Sequence, residues 1–162
     1  MPSLELVHDE FNYNPRTGDL TYNRPRRLVV VGQVVVSHSV RVPASGTQYP
    51  VSRIIWFWMT GEDPGDLLVE HQDGNHRNNR WHNLRLATPQ QNMFNKEGIG
   101  QFAKGVVFKA DANRSKPWPA RIRIDGKKVP LGSFYTHDEA AEAYRVASEK
   151  IHGAFASHKS RT

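Results

Sequence analysis

Residues 67–96 read LLVEHQDGNHRNNRWHNLRLATPQQNMFNK. Leu67, Leu68 and Val69 predict a short apolar strand that ends at Glu70-His71. Asp73-Gly74-Asn75 opens a polar loop that runs to Arg80. Leu84 to Thr88 resumes an apolar alternation and predicts a second short strand. Thr88-Pro89-Gln90-Gln91 reads as a helix start: Thr at the cap, Pro at the first helical position, Gln three residues after the cap. Strand, loop, strand and helix in so short a span predict an α+β fold.

Toward the N-terminus, the 14–19 segment Asn-Pro-Arg-Thr-Gly-Asp is a turn signal between short apolar pieces. Residues 28–36 are rich in Val and interrupted by Gly32. Val40, Val42 and 49–51 continue in the same style, so residues 1–50 read as a small β extension of the first domain. Residues 54–59 are dense in aromatic and aliphatic side chains. They suit a buried helix stopped by Gly61 and Pro64, with a strand as the competing reading.

Toward the C-terminus, Gly98 and Gly100 mark a linker. The expected division is a first domain at 1–97, a linker at 98–104, a second domain at 105–157 and a tail at 158–162. The second domain predicts strands at 105–109, 118–124 and 128–134. Asp125-Gly126 is a hairpin signal between the last two. Residues 138–152 predict an amphipathic helix, with Ala140, Ala141, Ala143, Tyr144, Ala147 and Ile151 on its buried side and Gly153 as its stop. The second domain is therefore expected as a small three-stranded antiparallel sheet plus one helix.

Composition narrows the chemistry. The chain has 162 residues and no cysteine, so thiolate metal sites and disulfides are excluded. No apolar run approaches the roughly 20 residues of a membrane span, and the first residues carry no leader pattern. The expectation is a soluble, cytoplasmic protein without a membrane partner. The net charge of +6 is unevenly placed: residues 1–100 hold 10 basic and 10 acidic side chains, whereas residues 101–162 hold 12 and 6. A basic C-terminal segment suits a polyanion through phosphate contacts and counterion release.

Glu70-His71-Gln72-Asp73-Gly74-Asn75, Asn78-Asn79-Arg80, Asn83-Leu84-Arg85 and Gln91-Asn92 together resemble the HNH nuclease family, in particular its homing-endonuclease-like branch common in phages and introns. The resemblance implies a ββα-metal unit clasping one divalent ion. It implies His71 as general base and Asn83 as the residue that holds the loop and presents His71. Glu70 and Asn92 are the implied metal ligands. Two oxygen ligands suit Mg²⁺ or Mn²⁺, one ion per active site. Adjacent strand residues face opposite ways, so Glu70 and His71 reach one phosphate only if the strand end twists. Relatives often carry Asp where Glu70 stands. Many also have His where Ser52 precedes Arg53. Arg77, Arg80 and Arg85 are candidate DNA-backbone contacts, with solvated loop charges as the alternative.

Gly105-Val106, Trp118-Pro119-Ala120-Arg121-Ile122, Leu131-Gly132-Ser133-Phe134, Ala140-Ala141, Ala143-Tyr144 and Gly153 resemble the APETALA2-type DNA-binding domain. In that family a three-stranded sheet enters the major groove, which implies double-stranded DNA as the partner. Arg121 and Arg123 share a strand face and are the candidate base contacts. Lys104, Lys109, Lys127 and Lys128 are assigned to phosphates. Trp118 is either a DNA contact or a packing residue. Pro130 stands where the plant domains have an aromatic, and 110–116 is an insertion-like loop.

The combined reading is a homing or nicking endonuclease of phage type that hydrolyses phosphodiesters in duplex DNA. No obligate protein partner is evident, and monomer and dimer stay open. The rival is a non-catalytic DNA-binding regulator that uses a decayed HNH scaffold. An RNA-directed role is disfavoured by the absence of an aromatic run for stacking unpaired bases.

Overall fold

The computed structural model describes residues 1–26, 28–95, 102–109 and 115–156. The chain divides into two compact units, Met1–Gln90 and Gln91–Thr162. The division falls inside the helix that follows the second strand of the decisive stretch, upstream of the linker expected at 98–104. Residues 98–101 of that linker and the tail at 158–162 lie outside the described residues.

The first unit opens with helix α1 (Leu4–Glu10), which the β-extension reading did not anticipate. Ser3 is its N-cap, and its hydroxyl accepts from the Leu6 amide. Strands β1 (Phe11–Tyr13) and β2 (Leu20–Tyr22) form an antiparallel hairpin around the 14–19 turn. Within the Val-rich 28–36 segment the chain makes only isolated bridges, Arg26 with Val29 and Thr21 with Val34. Leu28 is 88% exposed and Val36 92% exposed, so strand propensity found no second layer to bury it. Strands β3 (Ser39–Arg41) and β4 (Gln48–Pro50) pair antiparallel and lead directly into helix α2 (Val51–Thr60).

The helix reading of 54–59 prevails over the strand. Ile54 and Ile55 are fully buried, and Phe57 nearly so. Gly61 ends α2 in the left-handed region, its amide bonded to the Phe57 carbonyl at 2.9 Å. The core joins these residues to Val7, Phe11, Leu20, Val40, Val42 and Leu84.

Strands β5 (Leu68–His71) and β6 (Leu84–Ala87) pair antiparallel, with Glu70 opposite Arg85 and His71 opposite Leu84. Two consecutive residues of α2 bind the approach to β5. The Ser52 hydroxyl donates to the Val69 carbonyl at 3.3 Å, and Arg53 donates to the carbonyls of Leu67 and Gly65. Helix α3 (Pro89–Asn95) follows β6 and begins at Pro89, as the cap signal predicts.

In the second unit, β7 (Trp118–Ile124) and β8 (Lys127–Phe134) form a hairpin. Asp125 and Gly126 both take positive φ, which a two-residue hairpin turn of this kind needs. The expected third strand at 105–109 is reduced to one bridge, Val106 with Ala120. The amides of Val107 and Lys109 donate to the carbonyls of Pro119 and Pro117, and the Arg121 amide donates to Gly105. The bonds of Val107 and Arg121 close the bridge, but Pro119 and Pro117 have no N–H to donate back toward Val107 and Lys109, so the ladder does not extend beyond it. Gly105 is obligatory on space: a Cβ there would lie 2.3 Å from the Tyr144 ring and 2.4 Å from the Arg121 carbonyl.

Helix α4 (His137–His152) starts with a capping box between Thr136 and Glu139. Its buried stripe is Ala140, Tyr144, Ser148 and His152, every fourth residue. Ile151, expected on that side, is 41% exposed; strict four-residue steps place His152 there instead.

Candidate active site

His71 is the last residue of β5, and its side chain is 8% exposed. Its Nε2 lies 2.8 Å from the amide oxygen of Asn79. Burial pushes the imidazole pKa below its usual 6.5 and His76 adds to this, outweighing the upward pulls of the Asn79 hydrogen bond, Asp73 and Glu70. The ring is therefore held neutral at pH 7, the state that accepts a proton. The His76 ring meets the His71 ring edge-on at 5.6 Å, and His38 meets His76 at 6.3 Å.

The loop after β5 is closed by Asn83, which is 5% exposed. Its amide oxygen accepts from the Asp73 amide at 3.1 Å. Its Nδ2 donates to Asp73 Oδ1 at 3.0 Å and to the Asn78 carbonyl at 2.7 Å. The Gln72 amide bonds to the Asn83 carbonyl at 2.8 Å. Asn83 thus ties both ends of the loop to the start of β6, one residue from the partner of His71.

The loop is held on its other side by the β1–β2 hairpin. The Tyr13 hydroxyl donates to the Asn79 carbonyl at 2.6 Å, and the Trp81 amide donates to the Pro15 carbonyl at 3.1 Å. Burial pushes the Tyr13 phenol up to about 12, so it stays a donor. The sequence placed Asn79 among the motif residues but gave it no role, because its contact with His71 crosses a loop with no regular period.

Glu70 is 4% exposed and forms an ion pair with Arg85, whose Nε donates to Glu70 Oε1. Arg85, a candidate DNA contact from sequence, thus sits against the carboxylate opposite it in the register. Glu70 Oε2 is buried and has no hydrogen-bond partner among the described residues. A buried, orphaned carboxylate oxygen is an atom that a divalent cation satisfies, so Glu70 fits the metal expectation. Among the described residues no group of three or more His, Asp or Glu could hold a metal. An ion at Glu70 would draw its remaining ligands from amide oxygen, water and phosphate. Asn92 lies on α3, in the second unit.

The other candidates divide. Arg77 and Arg80 are exposed on the loop, with Arg80 donating to Asn78 at 3.0 Å. Lys104 donates to the Met93 and Phe94 carbonyls at 3.1 and 2.8 Å, caps the end of α3, and has its pKa lowered by burial. Trp118 packs among Phe102, Phe108 and His137. Lys109, Arg121, Arg123, Lys127 and Lys128 are exposed. Arg121 and Arg123 point away from the buried Ala120 and Ile122, with Lys128 across the hairpin from Arg123.

Residues 49–94 match the family model of the HNH endonucleases, a span that contains Glu70, His71, Asn83 and Asn92. Over this span the chain is similar to the HNH endonucleases. Over 96 residues, 59% of the chain, it is 38% identical to a protein of Acanthamoeba polyphaga mimivirus named as an HNH endonuclease. Over 78 residues, 48% of the chain, it is 37% identical to an SPbeta prophage-derived protein of Bacillus subtilis named as an HNH homing endonuclease. Protein 3.8 of Escherichia phage T7 is 28% identical over 102 residues, which is 63% of the chain and 84% of that protein. The chain spans about half the length of the mimivirus and prophage relatives, 49% and 45%. No solved structure matches it. No helix among the described residues is long and apolar enough to cross a membrane.

Proposed function

We propose that this protein is a metal-dependent endonuclease of the homing or nicking kind that hydrolyses phosphodiesters in duplex DNA. The observation that carries the reading is the coincidence of the family match with a buried histidine kept neutral beside an orphaned carboxylate oxygen. His71 takes the proton of the attacking water as that oxygen bonds to phosphorus and the bond to the leaving oxygen breaks. Glu70 and Asn92 would hold one Mg²⁺ or Mn²⁺. When bound, that ion supplies positive charge to the phosphate and the leaving oxygen. Asn83 holds the loop so that His71 keeps its position.

The second unit anchors the enzyme on duplex DNA in the manner of an APETALA2-type domain. Arg121 and Arg123 face the bases, and Lys109, Lys127 and Lys128 the phosphates. Arg77 and Arg80 meet the backbone beside the cut. The described residues hold one such site, so a monomer nicks one strand first.

The test is relaxation of supercoiled plasmid by wild type and by His71→Ala, each with Mg²⁺, Mn²⁺ or EDTA, with DNA binding followed by gel shift. Metal-dependent nicking by wild type, lost in a variant that still binds, is the expected result. Binding without cutting, on plasmids that include the native genomic neighbourhood, points instead to the regulator with a non-catalytic HNH scaffold.

A further inference from the structure

We propose that Asn79 is the positioning residue that fixes the tautomer and orientation of His71, and that the β1–β2 hairpin serves to hold Asn79 in place. The activity arm of this inference rests on the nuclease reading; the structural arm does not.

An amide oxygen only accepts, so the 2.8 Å contact requires the proton on His71 Nε2. The lone pair of the neutral ring is then on Nδ1, the nitrogen that takes the proton from water. Without an acceptor at that place, the Nε2–H tautomer loses the hydrogen bond that favours it.

Asn79 stands in a loop, where no helix or strand ladder fixes it. The hairpin supplies that constraint at three successive residues. Tyr13 holds the Asn79 carbonyl at 2.6 Å, and the Pro15 carbonyl holds the Trp81 amide at 3.1 Å. Between them, Gly18 lies so close that a Cβ would stand 2.7 Å from the Arg80 nitrogen and 2.8 Å from the Asn79 carbonyl carbon. Gly18 also has φ of +86°, so any side chain there meets both steric and backbone strain. Asn83 grips Asn78 from the other side at 2.7 Å. Asn79 is thus pinned in a segment with no regular structure, which a solvated surface loop would not need.

The experiment uses the full chain in mildly alkaline buffer and three variants. Asn79→Leu keeps the size and removes the acceptor; Asn79→Asp keeps the acceptor; Tyr13→Phe removes only the hydroxyl. Two quantities are measured: the single-turnover nicking rate at saturating protein, and the imidazole ¹⁵N shifts of His71 without metal. Expected for Asn79→Leu is a fall in rate of about 10- to 100-fold, the range for losing a group that orients an active-site side chain, with DNA affinity unchanged. Its His71 shifts move from the Nε2–H pattern to a tautomer mixture. Asn79→Asp keeps the wild-type pattern and most of the rate, and Tyr13→Phe falls between. An unchanged tautomer in Asn79→Leu overturns the inference, and so does an Asn79→Asp variant as slow as Asn79→Leu. If Asn79→Leu does not fold, Tyr13→Phe carries the test, and wild-type rate and shifts there overturn it. If wild type cuts nothing, the nuclease reading fails, and the ¹⁵N shifts alone decide this one.

Discussion

Glu70 and Arg85 form a pair whose separation has a large cost, because the carboxylate is 4% exposed. Removing one partner of a buried ion pair leaves an uncompensated charge and typically costs about 3–5 kcal/mol. Arg85→Met in metal-free buffer is therefore expected to destabilise the first unit by about 3 kcal/mol. Urea unfolding, followed through the fluorescence of Trp56, Trp58 and Trp81, measures it. Excess Mg²⁺ should return part of the loss, since a ligand that binds only the folded state stabilises it by mass action. In the Glu70→Gln, Arg85→Met double variant that recovery should vanish. An Arg85→Met protein indifferent to Mg²⁺ would count against Glu70 as a metal ligand. The resemblance to the HNH nucleases named Glu70, His71 and Asn83. It gave neither the Glu70–Arg85 pair, which depends on strand register, nor a role for Asn79, whose partner lies across a loop.

Elements were legible where local signals were strong and burial agreed with them. The Asp125-Gly126 turn and the start of α3 at Pro89 each dictate a backbone conformation on their own, whereas the apolar density of α2 left helix and strand open. The misses have a common cause: tertiary context decided them. The valines of 28–36 favour strand, but only Val35 reaches the core, and Val30, Val31, Val34 and Val36 stay exposed. The third strand of the second unit has the right residues, but the prolines at 117 and 119 remove the return hydrogen bonds. α1 is too short for a periodicity to show, and Ser3 was its only clear sign. The β7–β8 face carries its own expectation. Arg121 and Arg123 are exposed and alternate with the buried Ala120 and Ile122 along the strand, so changing both to Ala should leave the melting temperature nearly unaltered. Duplex DNA binding should weaken, and the slope of log affinity against log salt should shrink by about 2 if both reach phosphates, less if they reach bases. Gel shifts over a salt series measure this. Wild-type affinity and slope in the double variant would move the DNA face elsewhere.

At the scale of the whole molecule, charge and protonation divide along the two units. The 1–100 segment is electrically balanced and the remainder is basic, so added protons act on a second unit that already repels them. His152 is where this is felt most directly. It stacks on Phe94 at 3.7 Å, and burial first, then the charge of Lys104, lower its pKa below 6.5. The unfolded chain has no such pressure and protonates His152 near its ordinary value. Between that value and the lower folded one, the unfolded state binds more protons, so stability rises with pH in this window. The contribution is fully present above about pH 6.5, is lost as pH falls from there toward the folded pKa, and levels off below it. His152→Phe keeps an aromatic stack on Phe94 and removes the proton site. Its second unit should melt with a flatter pH dependence than wild type between neutral and mildly acid pH, read from the amide signals of Ala140 and Tyr144 on heating. The first unit, whose own buried histidine at position 71 is untouched, should keep its wild-type response and so serve as the internal control. Equal slopes for the second unit in both proteins would show that His152 reaches water on folding, and that Lys104 and Phe94 do not constrain it.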